Sequence, residues 1–433
     1  MVSFKSLVEG QRTFFRAGST QCINSRRETI QMIRMMIEAH RKDIGGAIYK
    51  DLGRDPSFEI AGATNEINEI LDNMDKWNAP VKVPKPLNFN DEDDEVLMIK
   101  EPLGVTLVIA AWSFPLITSM PFVAALAAGN TVILKLSEYA PNFSEVFSNL
   151  LKNYFDKHLI AAVEGGVSET TALLAERFDY IMYTGNSTVG RIVMTAAAKN
   201  LTPLTLELGG KNPVVVEPDA DLDDAAKKLI FSKTLNCGQN CLSSDYVITT
   251  EEVKWKLIAA LRKNFDAMAP FKENKAFARI VNEKHFDRLC SLLAKTKGQI
   301  VYRAKEETNK AERFLPPHVL IIEKDDVFMQ EEIFGPLLPI LALKSFDEAV
   351  AFVNAHEKPL GAYIFTKDPE KVVFGGVTVN DVMTHAFVDT MPFGGVGNSG
   401  MGRVSGKYGF DNFVHEKPIL MRNGIGKKVL AKL

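Results

Sequence analysis

The chain has 433 residues, and at roughly 100–200 residues per domain that length implies about two to four structural units. Its 46% hydrophobic and 24% charged residues exclude a disordered tail, a collagen-like fibre and a disulfide-knit miniprotein. A net charge of −3 gives no support to nucleic-acid binding by bulk charge, and four cysteines (Cys22, Cys237, Cys241, Cys290) are too sparse for a disulfide framework.

The N-terminal MVSFKSLVEGQRTFFRAG carries Lys5 and Glu9 and no continuous apolar core, so it does not read as a secretory signal. Ser3, Arg12, Arg16 and Ser19 leave a transit peptide as the alternative. Residues 25–52 are expected to be helical, with Ser25 as cap and Ile30, Ile33, Met36, Ile37 and Ile44 near one face. A second helix is expected over Pro56–Asn73. Pro80, Pro84, Pro86 and the acidic run 91–95 then mark an extended stretch, a protruding hairpin or an inter-domain crossing, with Val96–Ile99 as a strand. No charge occurs between Glu101 and Lys135, which is long enough for a bilayer span. Pro115, Pro121 and the Gly129-Asn130 turn interrupt it, so strand, loop, helix and strand buried in a parallel sheet is the better reading.

From Val105 the strands VTLVIAA, TVILK, YIMYT, PLTLEL and PVVVE alternate with helices over Leu116–Ala128, Asn142–Phe155, Glu169–Phe178 and Val189–Lys199. This order predicts a parallel, doubly wound α/β sheet. A helix follows Leu222. A second α/β set comes next: a strand near 248, the helix Val253–Met268, and strands near Val319–Ile322 and Leu337–Leu343. The last quarter is glycine-rich at 375–381 and 392–403. The final NGIGKKVLAKL holds neither a lipidation cysteine nor a hydrophobic tail.

Four features point to chemistry. Gly185–Gly190 lies between strand YIMYT and a helix, where backbone amides form an anion site. Its spacing fits neither GxGxxG nor a P-loop, so a tight βα turn is the alternative. Cys241, in NCGQNCLSS, follows a helix that Gly238 is expected to break, exposing a thiol. Cys237 would share its face if the helix continued, and two small buried core residues are the alternative. Two thiols without a nearby histidine make a poor zinc site, and the seven histidines show no metal spacing, so no metal is expected. Glu207, ending LTLEL before Gly209-Gly210, sits where α/β sheets place ligands. In a partly dry pocket its pKa would rise to suit a general base; a solvated strand-end acid is the alternative. QEEIFGP at 330–336 sets two acids before a buried-looking turn, or is a solvated acidic turn.

Together these segments resemble the aldehyde dehydrogenase superfamily, most of all its class 3 branch of fatty and aromatic aldehyde dehydrogenases. The marks run in order: EPLGVTLVIAAW (101–112), AAGNTVILKLSE (127–138), YTGNSTVG (183–190), TLELGGKNP (205–213), GQNC (238–241), EEIFGP (331–336) and PFGGVGNSGMG (392–402). The resemblance implies a Rossmann-type dinucleotide-binding domain at 1–78 and 102–209. It implies an α/β catalytic domain at 210–403 and a small oligomerisation element at 79–101 and 404–433. Cys241 would be the nucleophile, acting through a thiohemiacetal and a thioester, and Glu207 the base that activates the hydrolytic water. Lys135 and Glu138 would lie at the adenosine ribose, Glu332 at the nicotinamide ribose, and Trp112 and Phe334 beside the cofactor. Gly185, Asn186 and Gly190 would face the pyrophosphate, and Phe393 the substrate channel. A carboxylate at Glu138 repels a 2′-phosphate, so NAD is expected, with NADP as the alternative.

Two departures from the family stand out. Where the family has an asparagine whose amide helps bind the oxyanion, this chain has Ser113. Losing one such donor costs about 100–1,000-fold in turnover in a well-studied hydrolase. Between Lys371 and Gly375, most of a family helix is missing. The expected activity is NAD(P)-dependent oxidation of a medium- or long-chain aliphatic or aromatic aldehyde to its acid, within aldehyde and lipid metabolism. The expected form is a cytoplasmic homodimer with no nucleic-acid partner and no stable membrane insertion. Two rivals remain: an impaired dinucleotide-binding member, motivated by Ser113 and the short 371–375 segment, and a cofactor-free thiol esterase using Cys241 and Glu207.

Overall fold

The apolar runs Val105–Ile109, Thr131–Lys135, Ile160–Val163, Tyr180–Gly185 and Leu204–Leu208 form one parallel sheet in the computed structural model, which describes residues 3–85, 94–371 and 377–422. Its order is Leu204–Leu208, Tyr180–Gly185, Val105–Ile109, Thr131–Lys135, Ile160–Val163. Both faces are covered. Leu107, Ile109, Ile133, Ile181 and Leu206 pack in one core with Val8, Val193 and Ala197 of flanking helices. Their alternates Val108, Val132, Leu134 and Met182 pack on the opposite side against Ile30, Ile67 and Phe122. Double burial is why these strands read as unbroken apolar runs. The chain order reverses between Val105–Ile109 and Tyr180–Gly185, the place where such sheets open a ligand crevice.

Some elements differ from expectation. The stretch 25–52 is two helices, Ile23–Ala39 and Arg41–Leu52, broken at His40. A first helix, Lys5–Arg16, was not anticipated; Gln11 anchors it by donating to the carbonyls of Val132 and Lys157 at 2.9 and 3.0 Å. Between Leu116 and Ala128 there is only a 3-10 turn, Ile117–Ser119, and the short helix Pro121–Ala127. No helix among the described residues is long and apolar enough to cross a membrane.

The second sheet runs Gln299–Arg303, His318–Ile322, Leu337–Ala342, Tyr246–Thr249, Pro213–Val216, Ala362–Phe365, Val377–Val379, parallel except for its first strand. The segment thought to lack a helix falls mainly on residues 372–376, outside the described residues. The third sheet is antiparallel: Val81–Lys82, Glu95–Pro102 and Val414–Met421, with Pro102 opposite Val414 and Glu95 opposite Met421. Gly400–Met401 joins the edge of the first sheet, with Gly400 opposite Glu207, although the sequence places both residues in the catalytic part.

Candidate active site

The carboxyl ends of the first sheet and the loops of the second enclose a cavity of about 1360 Å³. The loop that carries Cys241 explains how one wall is built. The helix Leu222–Thr234 ends, and Asn236, Cys237 and Gly238 then adopt positive φ of 52, 57 and 68°. Such backbone is strained for non-glycine residues and persists only where its surroundings over-determine it. At Gly238 a side chain would collide with the Gly335 carbonyl, so the two backbones pack directly. The helix therefore does not continue through the two thiols. Cys237 turns into the core, while Cys241 lines the cavity.

A buried polar network holds this loop to the wall opposite. The Asn236 amide donates to the Ser113 carbonyl at 2.8 Å and to the Gln239 carbonyl at 2.8 Å. Its oxygen accepts from Arg54 Nε at 2.9 Å. Arg54 in turn pairs with the buried Glu59, which accepts from the Leu116 amide at 2.6 Å. Ser113 itself lines the cavity, and its hydroxyl has no partner among the described residues.

Glu207 is 6% exposed, not a solvated strand-end acid, and its Oε1 has no hydrogen-bond partner among the described residues. Burial pushes its pKa up to about 7, against a smaller lowering from the neighbouring Cys241 thiol, whose own hydrogen bond runs to Asn240 Oδ1 at 3.7 Å. Burial also raises the Cys241 thiol, and the carboxylates of Glu207 and Glu332 raise it further. The two acids of EEIFGP divide the two readings of that turn. Glu331 is exposed and pairs with Arg288 at 3.2 Å. Glu332 faces the cavity, lying where any side chain on Gly209 would stand, and burial lifts it to about 8.

At the other end, buried Lys135 donates to the Gly165 carbonyl at 2.6 Å and lies 4.0 Å from Glu138. Asn186 caps the helix Ser187–Ala198 by accepting from the Val189 amide at 3.0 Å, leaving the turn after Gly185 open to the cavity. Trp112 packs edge-on to Phe334 at 5.4 Å. Phe393 lines the far wall. Gly190 is the exception: it is buried under the helix, where a Cβ would meet Leu208 at 3.0 Å, so it serves helix–strand packing and does not reach the cavity.

Sequence reasoning passed over Lys211, Asp245 and His285. Lys211 pairs with Asp245 and donates to the Phe328 carbonyl at 2.7 Å, while Asp245 accepts from the Ile333 amide at 2.8 Å, fixing the turn that presents Glu332. His285 lies tilted beside Trp112, ring centroids 5.7 Å apart, and burial lowers it to about 4. Lys211 was inside a quoted motif; Asp245 and His285 carried no signal. Among the described residues no group of three His, Cys, Asp or Glu could hold a metal ion.

The capped helix end, the side-chain-free position at Gly209 and the large, partly apolar cavity fit a dinucleotide. Fold and cavity together define an α/β oxidoreductase of the dinucleotide-binding kind. The aldehyde dehydrogenase family pattern matches residues 4–419. Mouse aldehyde dehydrogenase family 3 member A2 is 40% identical over 96% of this chain and 88% of its own. The rat dimeric NADP-preferring aldehyde dehydrogenase is 39% identical over 98% of this chain and 95% of its own. A substrate-bound Staphylococcus aureus AldH superposes with a TM-score of 0.94 at 36% identity, covering all of both chains. The chain belongs to the aldehyde dehydrogenase family. It catalyses NAD(P)-dependent oxidation of an aldehyde.

Proposed function

We propose that the substrate is an aldehyde with a medium- or long-chain aliphatic or an aromatic body, and that Cys241 is the nucleophile. The observation that carries this reading is Cys241 and Glu207 brought together in one buried pocket, beside walls lined by Phe58, Phe114, Phe387 and Phe393. Glu207 takes the thiol proton, and the thiolate Sγ adds to the carbonyl carbon. The Ser113 hydroxyl and the Cys241 backbone amide stabilise the oxyanion. NAD(P), when bound, supplies the hydride acceptor that turns the thiohemiacetal into a thioester. Glu207, having released the first proton to solvent, then draws one from water as the water adds to the thioester; the intermediate expels the Cys241 thiolate, which takes that proton back from Glu207 as the acid leaves.

Lys135 and Glu138 would hold the adenosine ribose, the turn at Gly185 and Asn186 the pyrophosphate, and Glu332 the nicotinamide ribose. Trp112 and Phe334 would flank the ring system. Glu138 supports NAD over NADP, since a 2′-phosphate beside it meets a like charge. The first sheet with its helices would be the cofactor unit and the second sheet the catalytic unit. The third sheet, whose strand Val414–Met421 is mostly exposed, would join two copies into a homodimer. The few free cysteines support a reducing, cytoplasmic setting.

The test is the purified protein with hexanal or benzaldehyde and NAD or NADP, followed at 340 nm, with light scattering for the mass in solution. A folded, NAD-binding protein that forms no NADH with either aldehyde would overturn the reading.

A further inference from the structure

The segment Ser113–Ile117 passes the first turn of the helix Ser57–Asn78 and is gripped there at both ends. At one end Glu59 Oε1 accepts from the Leu116 and Ile117 amides at 2.6 and 3.4 Å. At the other the Ser113 carbonyl accepts from Arg54 Nη2 at 3.3 Å, and the guanidinium lies 4.8 Å over the Phe114 ring. Glu59 Oε2 ties the two ends together by accepting from the same Arg54 Nη2 at 2.5 Å. Behind the segment, Thr118 Oγ1 accepts from the Ala111 amide at 3.1 Å and closes the loop that carries Trp112 and Ser113.

The pair reaches further. Arg54 Nε holds Asn236, and Asn236 holds the Gln239 carbonyl, two residues before Cys241. One buried ion pair thus sets two strips of backbone on the cavity wall, one bearing the Ser113 hydroxyl and the other the Cys241 amide. Stability alone does not ask for such a pair, since packed apolar residues of similar volume often replace buried ion pairs without loss. A planar fork bonded to Glu59, Ser113 and Asn236 at once does fix their mutual geometry.

We propose that Glu59 is a positioning residue for the aldehyde reaction: through the Leu116 amide and Arg54 it holds the Ser113 hydroxyl and the Cys241 amide at the spacing the oxyanion needs. The proposal rests on the reading of those two groups as the oxyanion donors.

The experiment is a double-mutant cycle on the full chain with Glu59→Gln and Ser113→Ala. Single-turnover NADH formation, with enzyme in excess over benzaldehyde and NAD saturating, reads the steps up to the thioester. Ser113→Ala should slow the limiting rate by about 100-fold, the low end for a lost oxyanion donor. Glu59→Gln sets an amide NH2 against Arg54 and should slow it by about 10–100-fold, as a displaced donor would. Its NAD dissociation constant and half-saturating enzyme concentration should stay at the wild-type values. In the double variant the two losses should not multiply. Arg54→Lys keeps a charge beside Glu59 but cannot serve Asn236 and Ser113 together. It is the second arm should Glu59→Gln not fold, with the same loss and the same non-additivity expected. A full rate in the folded variants, losses that multiply, or NAD binding weakened as much as the chemistry is slowed would overturn the inference alone. Ser113→Ala at the wild-type rate would overturn the oxyanion reading, and the inference with it.

Discussion

Asn236 gives its side-chain amide to the Ser113 carbonyl at 2.8 Å, linking the strained turn before Cys241 to the loop that faces it. The same amide oxygen is one of the groups that satisfy Arg54. Asn236→Ala should therefore take a bond from three buried partners, the Ser113 and Gln239 carbonyls and Arg54, at about 1–3 kcal/mol for each left unsatisfied. Urea denaturation should show a lowered midpoint, and turnover should fall with it because the loop that carries Cys241 loosens. An unchanged midpoint would show that the network is incidental.

Cys241→Ala should reduce NADH formation to background while NAD still binds, as measured by protein fluorescence quenching. Glu207→Gln should slow steady-state turnover by about 100–10,000-fold, the range of a lost general base. Rapid mixing separates its two proton tasks. A retained burst of NADH would place its main effect on thioester hydrolysis, and a lost burst on thiol activation.

The pH behaviour follows from Glu207, whose folded-state pKa is raised to about 7 from 4.5. As a base it works only when ionised, so kcat should climb as pH rises through about 7. Stability should move the other way. Between pH 4.5 and 7 the folded state binds more protons than the unfolded one, so stability falls as pH rises across that window. Glu332, raised to about 8, acts with the same sign over a wider window. Glu207→Gln should flatten part of the stability slope; denaturation midpoints at pH 5, 6, 7 and 8 check it.

Ser113→Asn tests the shortened oxyanion donor. If the lone hydroxyl limits the reaction, the amide should raise kcat by up to about 100-fold. If kcat stays level, the hydroxyl and the Cys241 amide already suffice, and the impaired-member reading loses its chemical motive.

The central strands were legible because TVILK, YIMYT and PVVVE are buried on both faces and carry no polar alternation. The break at His40 was not, since neither glycine nor proline marks it and the apolar stripe runs on from Ile37 to Ile44. Ala362–Phe365 was missed because four apolar residues between turns fit a strand or a buried loop equally well, although it lies inside the second sheet. Cys241 and Glu207 were visible from the glycines beside them. Gly190 misled for the same reason: a glycine is needed as much for close helix–strand packing as for a phosphate. Glu59 was invisible, because an acid on an amphipathic helix reads as part of its solvated face.

The third sheet also sets a schedule. Glu95–Pro102 pairs along its whole length with Val414–Met421, about 300 residues later. At roughly 5–20 residues per second, a ribosome needs about 15–60 s to make the intervening chain. For that interval the early strand presents an open edge to whatever is near, including the same strand of another nascent chain. The closing strand thus acts as a late quality mark: a chain cut short before residue 414 keeps that edge exposed.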